Sequence, residues 1–264
     1  MESDPHTGFT KEVVKFSMLD KSRLSQPVNI DDNEIAKFNE MAREWWDPNG
    51  KFKTALEFNQ ARLGYFTEHI TQTLQRPWSD LSILDVGSGG GLVSENLAKL
   101  GAEVVGIDAS ATSVEVARAH AIQSGVLVSY QHKMAQDMVA EARQFDVVIN
   151  AEVVEHVPDQ AVLIEQCANL VKPGGLLILA TLNRTLKSYF VAILGAEYIM
   201  RYLPIGTHDW RKFVKPDELV QWVGSDFSLV SQSGVALNPL RKHWYLTTNM
   251  SVNYMQCFRK FPLE

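Results

Sequence analysis

Ile83-Leu84-Asp85-Val86-Gly87-Ser88-Gly89-Gly90-Gly91 decides the fold. An apolar run broken by one acid opens into glycines and then into a helix-like segment at 92–100, the order of a buried strand, a tight turn and a helix. Glycines in such a turn let a ligand approach the backbone closely. A dinucleotide fingerprint requires its third glycine three positions after the second. After Gly89 that position is Leu92, so the match to a nicotinamide or flavin site is imperfect.

Downstream, short apolar runs at 103–107, 127–131, 146–150 and 176–181 alternate with helix-length segments at 112–124, 134–142 and 159–171, the last stopped by Lys172-Pro173-Gly174-Gly175. Such alternation predicts an α/β fold with a mostly parallel sheet. Runs at 229–237 and 252–259 read as an antiparallel ribbon at the sheet edge. Upstream, Ile35, Phe38, Met41, Trp45 and Trp46 mark one apolar helical stripe capped by Asp31 or Asp32. Leu63, Phe66, Ile70 and Leu74 mark a second over 59–75, ended by Pro77. The chain thus divides into a tail at 1–30 and one domain at 31–264. That domain comprises a helical preface at 31–78, a core at 79–182, an insertion at 183–215 and a C-terminal helix with strands at 216–264.

The 264 residues suffice for one domain with additions. With 25 Lys and Arg against 31 Asp and Glu, the formal charge of −6 gives no footprint for a polyanion, which disfavours a nucleic-acid partner. Cys167 and Cys257 are far apart and outside metal-ligand spacing, which fits a reducing compartment without disulfides or zinc. Glu2, Asp4, Glu12 and Asp20 and the lack of an apolar block are unlike a secretory signal or transit peptide, so the expectation is a mobile tail on a cytoplasmic protein.

The spacing Asp85-x-Gly87-x-Gly89-x-Gly91 resembles the first motif of class I methyltransferases. That resemblance implies a Rossmann-like, mostly parallel seven-stranded sheet with helices on both faces and an antiparallel last strand, and S-adenosylmethionine as the ligand. In this setting Asp85 balances the methionine ammonium, while Gly87 and Gly89 admit the ligand. Asp108 closes the second strand 21 residues beyond Gly87, where an acid accepts hydrogen bonds from both ribose hydroxyls or merely caps the next helix. Met134 and Ala135, past the third strand, line the adenine or belong to the core.

Further blocks carry a closer resemblance: Glu34-Ile35-Ala36-Lys37-Phe38, Trp45-Trp46-Asp47, Asn59 with Arg62-Leu63-Gly64-Tyr65, Glu155-His156-Val157-Pro158-Asp159, Gly195-Ala196-Glu197-Tyr198-Ile199, Gly206-Thr207-His208-Asp209 and Val252-Asn253-Tyr254-Met255. Over nearly all of 31–259 the chain is similar to the ubiquinone biosynthesis O-methyltransferases. The resemblance implies O-methylation of a polyprenylated catechol or hydroxyquinol at two steps of ubiquinone synthesis, a quinone-biosynthesis complex as partner and a peripheral place on the inner membrane. It carries Arg62, Gly87, Asp108 and Ala151 over as S-adenosylmethionine contacts. The family commonly has Met at position 151 and Cys at position 88, so Ser88 leaves no thiol for the chemistry. Arg62 precedes the core, and pairing with the cofactor carboxylate requires the preface to fold back.

Glu152, Glu155 and His156 follow the fourth strand, at the edge where α/β sheets bind ligands. A phenol has a pKa of about 10, so attack on a sulfonium methyl is aided by a base or by a divalent cation that stabilises phenolate. His156 and Glu155 are the catalytic candidates. The spacing i, i+3, i+4 converges on one face if a helical turn begins there, and carboxylates suit magnesium, which the eukaryotic branch of the resemblance also implies. A magnesium site at the three, a metal-free base and a loop held by hydrogen bonds all stay open. The segment 187–209 gathers Tyr189, Phe190, Ile193, Leu194 and Ile199, while Lys187, Glu197, Arg201 and Pro204 argue against a spanning helix. It reads as a lid, a membrane-contacting element or both. Alternatives are methylation of another small phenol or amine, and a lipid-binding scaffold with an inactive site; intact Asp85, Gly87 and Asp108 argue against inactivity.

Overall fold

The computed structural model describes residues 29–41, 46, 53–191, 209–238, 241 and 243–263. The expected tail up to residue 28 and most of the apolar insertion, 192–208, lie outside the described residues. Two helices, α1 (Asp32–Met41) and α2 (Lys53–Leu74), precede the sheet. Then follow β1 (Ser82–Val86), α3 (Leu92–Ala98), β2 (Glu103–Asp108), α4 (Ala111–Ser124), β3 (Ser129–His132), α5 (Ala135–Ala140), β4 (Phe145–Ala151), α6 (Gln160–Asn169) and β5 (Val171–Leu182). The C-terminal part holds α7 (Leu186–Ser188), α8 (Pro216–Val223), β6 (Phe227–Asn238), β7 (His243–Thr247) and β8 (Asn253–Lys260).

The strand order is β3-β2-β1-β4-β5-β8-β6-β7, with β1 to β5 parallel. One expectation is corrected here: the described sheet has eight strands rather than seven, because β7 adds antiparallel to β6. The expected antiparallel ribbon of β6 and β8 forms, with β8 on the inner side against β5 and β7 taking the outer edge. β8 takes the inner place because it is apolar on both faces. Tyr254 and Phe258 enter one core, Met255 and Cys257 the other, so an edge position would leave one pair in water.

Side-chain alternation along the strands feeds these two cores. Leu84, Val148 and Leu177 meet Met138 of α5, Ile164 of α6 and Leu219 of α8. On the other face, Ile83, Val147 and Ile178 meet Phe66 and Ile70 of α2 and Leu97 of α3. Truncating Ile70 to Ala would leave a cavity costing roughly 2–5 kcal/mol. Local signals set the helix ends. Ser110 caps α4 by accepting from the Ser113 N–H at 2.9 Å, and Gly125, at φ 67°, ends it. Asp159 caps α6, which stops at Asn169; the expected stop sequence from Lys172 is already strand β5.

The preface folds back over the carboxyl ends of the strands. α2 lies against α3 and β7, and α1 against α4. Asn29 exchanges two hydrogen bonds with the backbone of Asp159 (2.6 and 2.7 Å), Asp31 pairs with Lys212 at 3.4 Å, and Ser110 donates to Asn39 at 2.6 Å. No helix among the described residues is long and apolar enough to cross a membrane.

Candidate active site

A cavity of about 760 Å³ opens at the carboxyl ends of β1, β2, β4 and β5, between the sheet, the preface and the β6–β7 hairpin. That is the sheet edge where open α/β folds bind ligands. Gly87 and Ser88 of the glycine loop line the cavity. Gly87, Gly89 and Gly91 all have positive φ (76°, 52° and 89°), which side chains rarely adopt. A Cβ on Gly87 would lie 2.2 Å from Val153 Cγ2, and one on Gly91 would lie 2.2 Å from the Tyr130 hydroxyl. The loop is therefore held between two neighbours that leave no room for a side chain.

Two acids flank it. Asp85 is buried, accepts from Ser94 Oγ at 2.6 Å, and burial pushes its carboxyl up to about 6, with the Asp108 charge adding and Arg62 opposing. Asp108 lines the cavity and accepts from the N–H groups of Gly89 (2.8 Å) and Ser110 (2.7 Å). Burial raises its carboxyl as well, and these bonds oppose the rise. Gly89 thus serves Asp108 through its N–H, while Gly87, Ser88, Met134, Ala135 and Ala151 line the cavity. Arg62 reaches the same cavity from α2. Its guanidinium lies over Phe58 at 4.8 Å and donates to Asn59 at 3.0 Å and to Glu152 at 3.2 Å. Arg62 Nε and Ser88 Oγ are buried without a hydrogen-bond partner among the described residues. Orphan donors beside an open glycine backbone fit a zwitterionic, hydroxyl-rich ligand such as S-adenosylmethionine.

The helical turn expected to bring Glu152, Glu155 and His156 onto one face does not form, although Glu152 and Glu155 remain close enough to share a hydrogen bond. Glu152 sits in the left-handed region at φ 59°, and Val154–His156 is a single 3-10 turn, so the i, i+3, i+4 geometry of an α-helix is absent. Each side chain also has a partner outside the trio. Glu152 meets Arg62, buried Glu155 accepts from Thr181 Oγ1 at 2.9 Å, and His156 Nδ1 lies 2.8 Å from Glu34 Oε2. Burial pushes the Glu155 carboxyl well above its usual range, and the Glu152 charge adds to it. Among the described residues no three His, Cys, Asp or Glu side chains are grouped to hold a metal.

Sequence reasoning gave Glu34 no role in chemistry. Burial alone would raise its carboxyl, but hydrogen bonds and charge from His156 and Lys37 prevail and hold it at about 2. Phe38, one helical turn on, packs edge-on against the same imidazole at 5.0 Å. A carboxylate at i and an aromatic at i+4 were a readable pair, but nothing local says which histidine they meet. The far wall was also missed: Leu237, Trp244 and Tyr245 of the β6–β7 hairpin line the cavity, with Trp244 edge-on to Phe58 at 5.0 Å. The aromatic, β-prone run His243-Trp244-Tyr245-Leu246-Thr247 was its available signal.

Residues 84–179 match the family described as a methyltransferase domain. A ubiquinone biosynthesis O-methyltransferase from Chelativorans sp. (strain BNC1) is 47% identical over 242 residues, covering 89% of this chain and 96% of that protein. One from Roseobacter denitrificans is 48% identical over 234 residues, covering 86% and 94%. Among solved structures, magnesium protoporphyrin IX methyltransferase from Synechocystis PCC 6803 with bound SAH has a TM-score of 0.63 at 18% identity, covering 85% of this chain and 94% of that one. An N-methyltransferase from Bradyrhizobium japonicum in complex with S-adenosylhomocysteine has a TM-score of 0.60 at 14% identity, covering 87% and 99%. These two likenesses establish the fold alone. Identity of 47% across 89% of the chain decides the rest: it belongs to the ubiquinone biosynthesis O-methyltransferases and is an S-adenosylmethionine-dependent enzyme of the class I methyltransferase fold.

Proposed function

We propose that the chain transfers the methyl group of S-adenosylmethionine to a phenolic oxygen of polyprenylated catechol and hydroxyquinol intermediates in ubiquinone synthesis. The observation that carries this reading is one continuous cavity with a polar end at Asp85 and Asp108 and an aromatic wall at Phe58, Trp244 and Tyr245. At the polar end Asp85 balances the donor's ammonium, Asp108 accepts from the ribose, and Arg62 pairs with the carboxylate once it releases Glu152. Met134, Ala135 and Ala151 flank the adenosine. His156 lines the cavity with Nδ1 2.8 Å from Glu34 Oε2, where the carboxylate stabilises the imidazolium that forms when the ring accepts a proton. Its imidazole takes the phenol proton as the oxygen attacks the methyl carbon, and the sulfonium leaves as a neutral thioether. Methyl transfer to a short-chain polyprenyl catechol, followed by mass, tests the acceptor. A soluble phenol turned over equally well would favour a different substrate, and no transfer despite S-adenosylhomocysteine binding would favour a lipid-binding scaffold.

A second reading places magnesium at Glu152, Glu155 and His156. It is favoured by Glu155 Oε1, buried without a partner among the described residues beside the Glu152 charge. It requires Glu152 and His156 to leave Arg62 and Glu34. Full turnover in chelator rejects it, whereas loss restored by magnesium supports it.

We further infer contact with a membrane surface and, through it, with other enzymes of quinone synthesis. Leu186 and Phe190 are 73% and 59% exposed at the start of the insertion, next to Lys187 on the cavity rim. A polyprenyl acceptor partitions into lipid, so an apolar rim with a cation beside it suits an anionic bilayer.

A further inference from the structure

Trp46 lies over the glycine loop from the preface. Its indole Nε1 donates to the carbonyl of Gly90 at 2.7 Å. The same indole stacks on His120 of α4, with centroids 3.5 Å apart and planes within 3°. His120 Nδ1 bonds Glu95 Oε1 at 2.7 Å, and the other oxygen of this fully buried carboxylate accepts from Ser124 at 2.9 Å. Glu95 belongs to α3, and its N–H donates to the Gly91 carbonyl at 3.0 Å. One run of contacts therefore joins the preface to the loop and to both helices beneath it. None of these side chains lines the cavity.

The loop's carbonyls have separate holders. That of Ser88 accepts from Gly91 N–H at 2.9 Å, and that of Gly91 accepts from Glu95 N–H. The Gly90–Gly91 peptide is held at two points, its N–H on the Ser88 carbonyl and its carbonyl by the Trp46 N–H. Between consecutive glycines a peptide plane turns with little steric resistance, so without Trp46 only the Gly91 N–H bond resists rotation. If the Gly90 peptide rotates, its carbonyl oxygen moves toward the cavity, where it repels the donor's carboxylate, and the neighbouring N–H groups lose their alignment.

We infer that Trp46 is a positioning residue for the methyl donor: it holds the Gly90 carbonyl away from the cavity, with His120 as its platform and Glu95 as the anchor of that platform. The inference rests on the donor alone and is independent of the acceptor. Trp46→Phe keeps a ring on His120 and removes the N–H. The dissociation constant of S-adenosylhomocysteine, read by calorimetry without acceptor, should rise about three- to tenfold, the range for one hydrogen bond. The donor's KM should rise in parallel while the acceptor's KM keeps its value. His120→Gln, which retains a partner for Glu95 but removes the platform, should shift donor affinity in the same direction. Donor affinity unchanged in Trp46→Phe overturns the inference. So do parallel rises in both KM values with a lowered melting temperature, which mark a residue that only supports the fold. If Trp46→Phe does not fold, unchanged donor affinity in His120→Gln overturns it.

Discussion

Asp85 should couple donor binding to pH. Burial and the Asp108 charge lift its carboxyl from 3.8 to about 6, against the hydrogen bond from Ser94. That shift corresponds to about 3 kcal/mol disfavouring the charged form. An ammonium placed beside it reverses the preference, so binding and proton release are linked. If the group must be ionised to bind, its competent fraction falls from nearly all at pH 7.5 to about one tenth at pH 5, and the dissociation constant of S-adenosylhomocysteine rises about tenfold. The stability effect has its own sign. A carboxyl raised in the folded state contributes stability below its unfolded value of 3.8, and this is lost as pH rises through about 6. Asp85→Asn, which keeps an oxygen for Ser94, should therefore raise the melting temperature of the empty protein at pH 7.5, weaken donor binding and flatten its pH profile. Calorimetry across pH 5 to 7.5, in two buffers of different ionisation enthalpy, counts the protons released. A constant affinity over that range, or the wild-type slope persisting in Asp85→Asn, would refute the coupling.

Asp108→Ala should weaken S-adenosylhomocysteine binding by roughly 1.5–3 kcal/mol, the loss expected for hydrogen bonds to a charged group; unchanged affinity in a folded variant removes it from the ribose. Gly87→Ala combines a left-handed backbone, costing roughly 1–2 kcal/mol, with a methyl 2.2 Å from Val153, so adding Val153→Ala should recover part of the lost denaturation midpoint. No recovery would contradict that close approach. Glu34→Gln should lower turnover and shift its pH profile while donor affinity stays within about twofold, because the carboxylate no longer balances a protonated His156; a parallel loss of donor binding would make Glu34 a strut of the preface. Phe190→Ser should reduce sedimentation with anionic liposomes and turnover of long-chain acceptors, and equal losses on a water-soluble catechol would leave it a lid residue.

The parallel half of the sheet was legible because β1, β2 and β4 are apolar runs of strand length with helix-length spacers, and the glycines between β1 and α3 mark a ligand-approaching turn at a strand end. Asp85, Gly87, Asp108 and Met134, read from their places at or just beyond strand ends, and Ala151, carried over from the family resemblance, all line the cavity that those ends form. What escaped depends on long-range choices. The place of β8 between β5 and β6 is decided by burial of two faces at once, which the alternating residues 253–258 permit without specifying. The His156 to Glu34 bond spans 122 residues, and the helical turn on which the Glu152, Glu155 and His156 spacing was conditional is replaced by a left-handed residue and a 3-10 turn.

The position of β8 also bears on synthesis. β5 and β6 flank it but precede it in the chain, so during translation both emerge with an unpaired edge facing the gap that β8 later fills. Until residues 253–260 arrive, the nascent chain exposes two ladders of unsatisfied N–H and carbonyl groups beside apolar surface, a template for pairing with a neighbouring chain. A ribosome stalled before β8 therefore holds a cofactor-binding half with its strands in place and a sheet that has not yet closed.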